Sequence, residues 1–214
     1  MTLPEAVLYL LQHAAVPVSD RNEVFRDERL QTVALSIGSA AEHAICKGVF
    51  EDETCKPIAS DENLVAASLT WLGEAETAMR SNVHRDECGP HQCDAVRIRT
   101  ATGFMTVHLA RGIWQMHRPP QWSSERWESI RGDSLEATTN AAWETAKMFE
   151  GYRGICGGTT QGAFAGYATG GHCSHPQAAS RAARTEWLRV QIVALRATDI
   201  GHRPSAVGQS EEGE

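Results

Sequence analysis

Six cysteines constrain the fold of this 214-residue chain more than any other feature. They fall into three close pairs along the sequence: Cys46 with Cys55, Cys88 with Cys93, and Cys156 with Cys173. An even number in local pairs is the pattern of loops closed by disulfides. Six cysteines allow many pairings, and reduced buried cysteines are the alternative, so spacing alone leaves the connectivity open. Either way, the cysteine-bearing loops separate longer stretches with helical patterning.

Pro4 suits the first turn of a helix running to about Ala14 and ended by Pro17. A second helix is expected from an N-cap at Ser19 or Asp20 to about Ile45, and a third from Ser60 or Asp61 to about Ser81. Residues 96–108 alternate around Thr102-Gly103 and read as a short hairpin. Short helices are expected over residues 111–117 and 123–130, a long one from Asp133 or Ser134 to Tyr152, and a last one from Pro176 to Ala197. The glycine-rich stretch 151–171 is expected to be irregular, with a helical turn near Phe164 to Tyr167. The acidic tail, residues 201–214, reads as mobile. The class is mainly α with a small β element.

Composition narrows the function. Hydrophobic residues make up 42% and charged residues 22%, which fits a folded globular protein. The formal charge of −7 argues against general nucleic-acid binding, which depends on neutralising phosphates. No stretch reaches the roughly 18–20 apolar residues of a membrane span. The apolar segment 6–18 follows Glu5, is broken by Gln12 and His13 and lacks a basic leader, so it does not read as a signal peptide.

The third predicted helix holds the most informative residue. Val65, Leu69, Leu72 and Met79 recur at helical spacing. At the pitch of an α-helix, Glu76 falls about 20° from Val65 and thus on this apolar stripe, whereas Glu74 falls about 180° away, toward solvent. A carboxyl on an apolar face loses hydration when ionised and its pKa rises, as a general acid requires. A partly buried glutamate satisfied by arginine or backbone donors is the plainer alternative. Farther along, Gly112-Ile113-Trp114-Gln115 combines a permissive glycine, a flat apolar ring and an amide with both donor and acceptor, a set suited to a sugar, with a tryptophan simply buried at a helix start as the plainer alternative. Gly162-Ala163-Phe164-Ala165-Gly166-Tyr167 places small residues around a tyrosine able to line a cleft.

Taken in this order, the three segments resemble the lysozyme-like lytic transglycosylases that cut peptidoglycan. That family carries a helix with Glu-Ser, a Gly-Leu-Met/Trp-Gln turn and a later Ala-Tyr motif. The resemblance covers about residues 61–197. It departs at Thr77, which replaces the family serine, and at Gly166, which separates Ala165 from Tyr167. Residues 1–60 have no counterpart and read as an extra N-terminal helical module, an assembly interface in a phage particle being one role for it. The resemblance implies a lysozyme-like domain over residues 61–200, with Glu76 as general acid and Thr77, Gly112, Trp114, Gln115 and Tyr167 binding substrate. Together with the spacing it also implies disulfides 46/55, 88/93 and 156/173.

The implied reaction cleaves the bond between N-acetylmuramic acid and N-acetylglucosamine through an oxocarbenium-like state. Ring closure to a 1,6-anhydro product needs no second carboxylate. Hydrolysis usually does, and Asp86, Glu87 and Asp94 are the available acids. No cofactor is implied. Five histidines accompany the later cysteines, but neither Cys88-x4-Cys93 nor His172-Cys173-Ser174-His175 has a strong zinc spacing, so no metal is expected. The partner is bacterial peptidoglycan, together with virion proteins through residues 1–60 if the chain belongs to a phage. Disulfides without a signal peptide point to a virion component or lysin that works in the periplasm or at the wall. The rival reading is a catalytically silent structural or wall-binding protein of such a particle.

Overall fold

The structure, a computed structural model, describes residues 1–15, 22–101 and 103–198. It is mainly helical with two small antiparallel sheets. Helix α1 (Leu3–Leu10) starts at a capping box, in which Thr2 and Glu5 satisfy each other's backbone N–H groups, with Pro4 in the first turn. It continues as a wider π-helical turn over Leu11–Ala15. Helix α2 (Arg26–Ala44) follows. Its expected caps, Ser19 and Asp20, lie outside the described residues, as do Pro17, Thr102 and the tail 201–214.

Helix α3 (Glu62–Thr77) is capped by Asp61, whose carboxylate accepts from the N–H groups of Asn63 and Leu64. It stops four residues short of the expected end, because Ala78 and Met79 both take left-handed φ values, +52° and +55°. Met79 nevertheless stays in the core by folding back over Gly73, where an added Cβ would lie 2.3 Å from the Met79 Cε atom. A short helix α4 (Ser81–His84) leads to a hairpin of β1 (Ala95–Thr100) and β2 (Gly103–His108), in register from Ala95↔His108 to Thr100↔Gly103.

Residues 111–117 do not form the expected helix. They make a second, tighter hairpin between β3 (Ala110–Arg111) and β4 (Met116–His117). The reason is local: Gly112 has φ +63° and Gln115 φ +50°, and two left-handed residues this close interrupt a right-handed helix. Helix α5 (Ser124–Glu128) and the long α6 (Leu135–Ile155) begin at the serine caps Ser123 and Ser134. The glycine-rich stretch, expected to be irregular, contains a full helix α7 (Thr160–Thr169). Its glycines serve contact rather than freedom. A Cβ at Gly162 would lie 2.1 Å from the Cys156 carbonyl oxygen, and one at Gly166 would lie 2.8 Å from the Tyr152 Cβ. Helix α8 (Ala178–Ala197) closes the fold.

Helix α2 packs on α6 and α3, α3 on α8, and α6 on α7. One buried cluster runs through all of them, joining Leu3, Leu30 and Ile37 to Leu69, Trp114, Phe164 and Ile192. The apolar faces of residues 1–60 thus find their partner in the rest of the same chain. The disulfides are 46–55, 88–93 and 156–173, and no cysteine is free. The first closes the loop after α2, the second the loop before β1, and the third ties the end of α6 to the loop after α7. No helix among the described residues is long and apolar enough to cross a membrane.

Candidate active site

Glu76 lies in the last turn of α3, beside the point where the chain turns left-handed. Its Oε1 atom accepts from the Arg181 Nη1 group of α8 at 2.5 Å. The expected contrast with Glu74 is therefore corrected. Glu74 does not point to solvent: it is half-buried, and its Oε2 atom is buried without a hydrogen-bond partner among the described residues. Burial pushes the Glu74 carboxyl above the usual carboxylate range, with Arg184 opposing. Helical spacing alone does not send Glu74 to solvent, because α3 has no single dry side. Every residue from Val65 to Thr70 is buried, since α2 and α8 both pack against this helix.

The three segments singled out in the sequence meet at the end of α3. Thr77 donates its Oγ1–H toward the Ile113 carbonyl at 3.0 Å, with the Gly73 carbonyl also in reach at 3.1 Å. Tyr167 Oη donates to the Trp114 carbonyl at 2.7 Å. Burial, and after it the nearby Glu76 carboxylate, push the tyrosine's pKa upward, so the phenol stays a neutral donor. The turn 112–115 is thus held from both sides, by α3 and by α7.

Trp114 has a different role from the one expected. It is 1% exposed, and its indole Nε1–H donates to the Leu69 carbonyl at 2.9 Å. A ring so covered cannot stack on a sugar, and Trp114 anchors the turn to α3 instead. Gly112 provides the left-handed φ of the turn, with nothing within 4 Å of an added Cβ. Gln115 keeps its place at the surface of the site. Its Nε2 group donates to the Gly112 carbonyl at 2.9 Å and reaches the Cys93 sulfur at 3.5 Å.

Two cavities adjoin here. The smaller, about 200 Å³, is lined by Glu76, Thr77, Arg80, His91, Gln92 and the two residues it shares with its neighbour, Asp94 and Gln115, among others. The larger, about 420 Å³, adds Met116, His117, Met148, Tyr152 and Tyr167. One is polar and holds the acid, while the other offers aromatic and thioether surface. Asp94 sits between them in a left-handed conformation, φ +47°, and accepts from His117 Nε2 at 2.5 Å. Of the three loop acids named from the sequence, only Asp94 lines the cleft. Asp86 faces Arg131 and Arg111, at 3.1 and 3.9 Å, and Glu87 faces Arg85. Among the described residues no cluster of three or more His, Cys, Asp or Glu side chains could hold a metal ion.

Sequence reasoning missed Arg181, Tyr152 and Met148. The only signal for Arg181 was the general expectation that a half-buried glutamate finds an arginine, and nothing in the sequence said which one. Comparison of the chain with protein-family models, curated proteins and solved structures finds no match.

Proposed function

We propose that this protein is a lysozyme-like glycosidase that cleaves the bond between N-acetylmuramic acid and N-acetylglucosamine in peptidoglycan, with Glu76 as proton donor. The observation that carries this reading is the convergence described above. Thr77 and Tyr167 clamp the Trp114 turn between them, and the Glu76 carboxylate lines a cavity that shares Asp94 and Gln115 with a larger one. Thr77, Gln115 and Tyr167 border the substrate, whereas Gly112 and Trp114 shape the turn.

In this mechanism the Glu76 carboxylate takes up a proton from solvent when its pair with Arg181 opens, and gives it to the glycosidic oxygen as positive charge develops on the sugar. Arg181 is placed to hold the carboxylate that remains, and the Glu76–Arg181 pair must open as the sugar oxygen approaches. The carboxylate then takes a proton either from the muramyl C6 hydroxyl, closing a 1,6-anhydro ring, or from water. Asp94, held by His117, is the acid available to assist the second course. The natural setting is the bacterial periplasm or wall, reached as a phage lysin or virion component, where the three disulfides persist.

The test is release of soluble fragments from purified peptidoglycan, read by mass spectrometry, which also tells anhydro ends from reducing ends. Glu76→Gln is expected to lower release by at least about a hundredfold. Full activity in that variant would remove Glu76 from the mechanism. The second reading, a silent wall-binding protein, is favoured by the Glu76–Arg181 ion pair, which a purely structural glutamate would also form. Wall binding by the wild type without any fragment release would decide for it.

A further inference from the structure

The β1–β2 hairpin stands out from the body of the protein. No residue of either strand is buried. Its register puts Val96 opposite Val107 and Ile98 opposite Met105, so one side of the ribbon is wholly apolar over these pairs. Arg97 opposite Thr106 and Arg99 opposite Phe104 form the other side, with the Arg97 guanidinium 4.5 Å from the Phe104 ring centre. Near the turn, large apolar side chains are exposed on both sides: Phe104 is 62% exposed, Met105 50% and Ile98 41%. Neither Arg97 nor Arg99 has a carboxylate partner among the described residues. Although the chain carries a net charge of −7, residues 95–124 contain no aspartate or glutamate.

We propose that this ribbon binds the surface of an anionic lipid bilayer. Its tip, with Phe104, Met105 and Ile98, enters the headgroup region, and Arg97 and Arg99 engage lipid phosphates. Three observations select this occupant. Apolar groups on both sides of the tip are covered together by a fluid phase that surrounds the ribbon, whereas a flat protein surface or a polymer strand covers one side. A second copy paired two-fold along β1 would bring Arg97 and Arg99 against the same arginines, a like-charge arrangement that disfavours that pairing. The local excess of unpaired arginine in an acidic protein complements anionic lipid. Depth is limited by the ribbon itself. Its two outer edges carry unpaired backbone N–H and C=O groups, which hydrocarbon cannot satisfy, so insertion stops at the interface. This inference does not depend on the proposed glycosidase activity.

The test is flotation of the full chain with vesicles of equal parts phosphatidylglycerol and phosphatidylcholine, against vesicles of phosphatidylcholine alone. The wild type is expected to float with the anionic vesicles, to be released as salt rises, and to leave the neutral vesicles largely unbound. Replacing both Phe104 and Met105 by Ser is expected to weaken binding at least about tenfold. Arg97→Gln and Arg99→Gln should each weaken it about fivefold. These side chains are exposed, and an unchanged near-ultraviolet circular dichroism spectrum confirms that each variant is folded. No flotation of the folded wild type at low salt overturns the proposal. So does undiminished binding by the double serine variant, which would mean attraction without insertion. A wild-type dimer in solution that dissociates in the serine variant would assign the ribbon to a second copy instead.

Discussion

At the scale of single residues, burial sets two titrations of opposite sign. His84 is 2% exposed, its Nε2 atom lies 2.8 Å from the Thr138 hydroxyl, and its Nδ1 atom has no hydrogen-bond partner among the described residues. Burial first, and Arg29 second, hold its pKa down to about 4. In the unfolded chain an imidazole titrates near 6.5. Between these values the unfolded chain takes up a proton that the folded chain refuses, so stability rises with pH across this window. The loss on acidification is of order 3 kcal/mol and is complete below about pH 4. Urea unfolding at about pH 7 and about pH 4.5 should show a smaller loss in His84→Asn than in the wild type. An equal loss would place the acid-sensitive group elsewhere. Glu74 runs the other way. Its raised pKa means the folded chain holds the proton longer, so its contribution falls as pH rises through the carboxyl range. Glu74→Gln should therefore keep or raise stability near neutral pH. It should leave fragment release unchanged, because Glu74 lines neither cavity. A loss of activity matching that of Glu76→Gln would show that the two glutamates act together.

At the scale of elements, helix beginnings with a side-chain cap were legible because caps are local chemistry, whereas α2 begins after Phe25 without such a cap and about six residues later than its sequence suggests. Asp61, Ser123 and Ser134 each accept a backbone N–H of the first turn, as their residue types predict. The hairpin around Gly103 was legible for the same reason. The turn at residues 112–115 was not, since glutamine seldom adopts a left-handed φ and the apolar spacing of Ile113, Trp114 and Met116 imitates a helix. Helix α7 was hidden because glycine reads as a breaker, whereas Gly162 and Gly166, one turn apart, are the contact by which α7 approaches α6. The candidate site divides likewise. Thr77 and Tyr167 both hydrogen-bond the turn that carries Gln115, a meeting of three segments far apart in the chain. The burial of Trp114 and the arrival of Arg181 depend on packing between distant segments. The glycine argument makes a paired prediction. Gly166→Ala presses a methyl against the Tyr152 side chain and should cost about 1–3 kcal/mol. Gly151→Ala lies on the exposed side of α6 with nothing within 4 Å, and should stabilise by about 0.5–1 kcal/mol. Chemical unfolding of both variants checks the contrast, and equal effects would mean that the α6–α7 contact is looser than described.

At the scale of the whole molecule, the question is whether residues 1–60 are a separate module or part of one body with the rest of the chain. Helix α2 lies against α6 and α3, and its Leu30, Val33 and Ile37 are fully buried in the cluster that holds Leu69 and Trp114. Helix α1 crosses α2 so closely that an added Cβ at Gly38 would lie 2.6 Å from the Pro4 ring. Removing both helices would expose the faces of α3 and α6 that they cover. Because α3 carries Glu76 and Thr77, the loss would reach the cleft although no described residue before 60 lines its two cavities. Truncating even one buried side chain there, as in Ile37→Ala, should cost about 2–5 kcal/mol, a large share of the roughly 5–15 kcal/mol that keeps a domain folded. A chain beginning at Ser60 is therefore expected to lack cooperative unfolding and a native near-ultraviolet spectrum, and to release no fragments from peptidoglycan. Recovery of a folded, cooperative protein from residues 60–214 would show that the first two helices dock on a body that stands without them, and would return residues 1–60 to the status of a separate module.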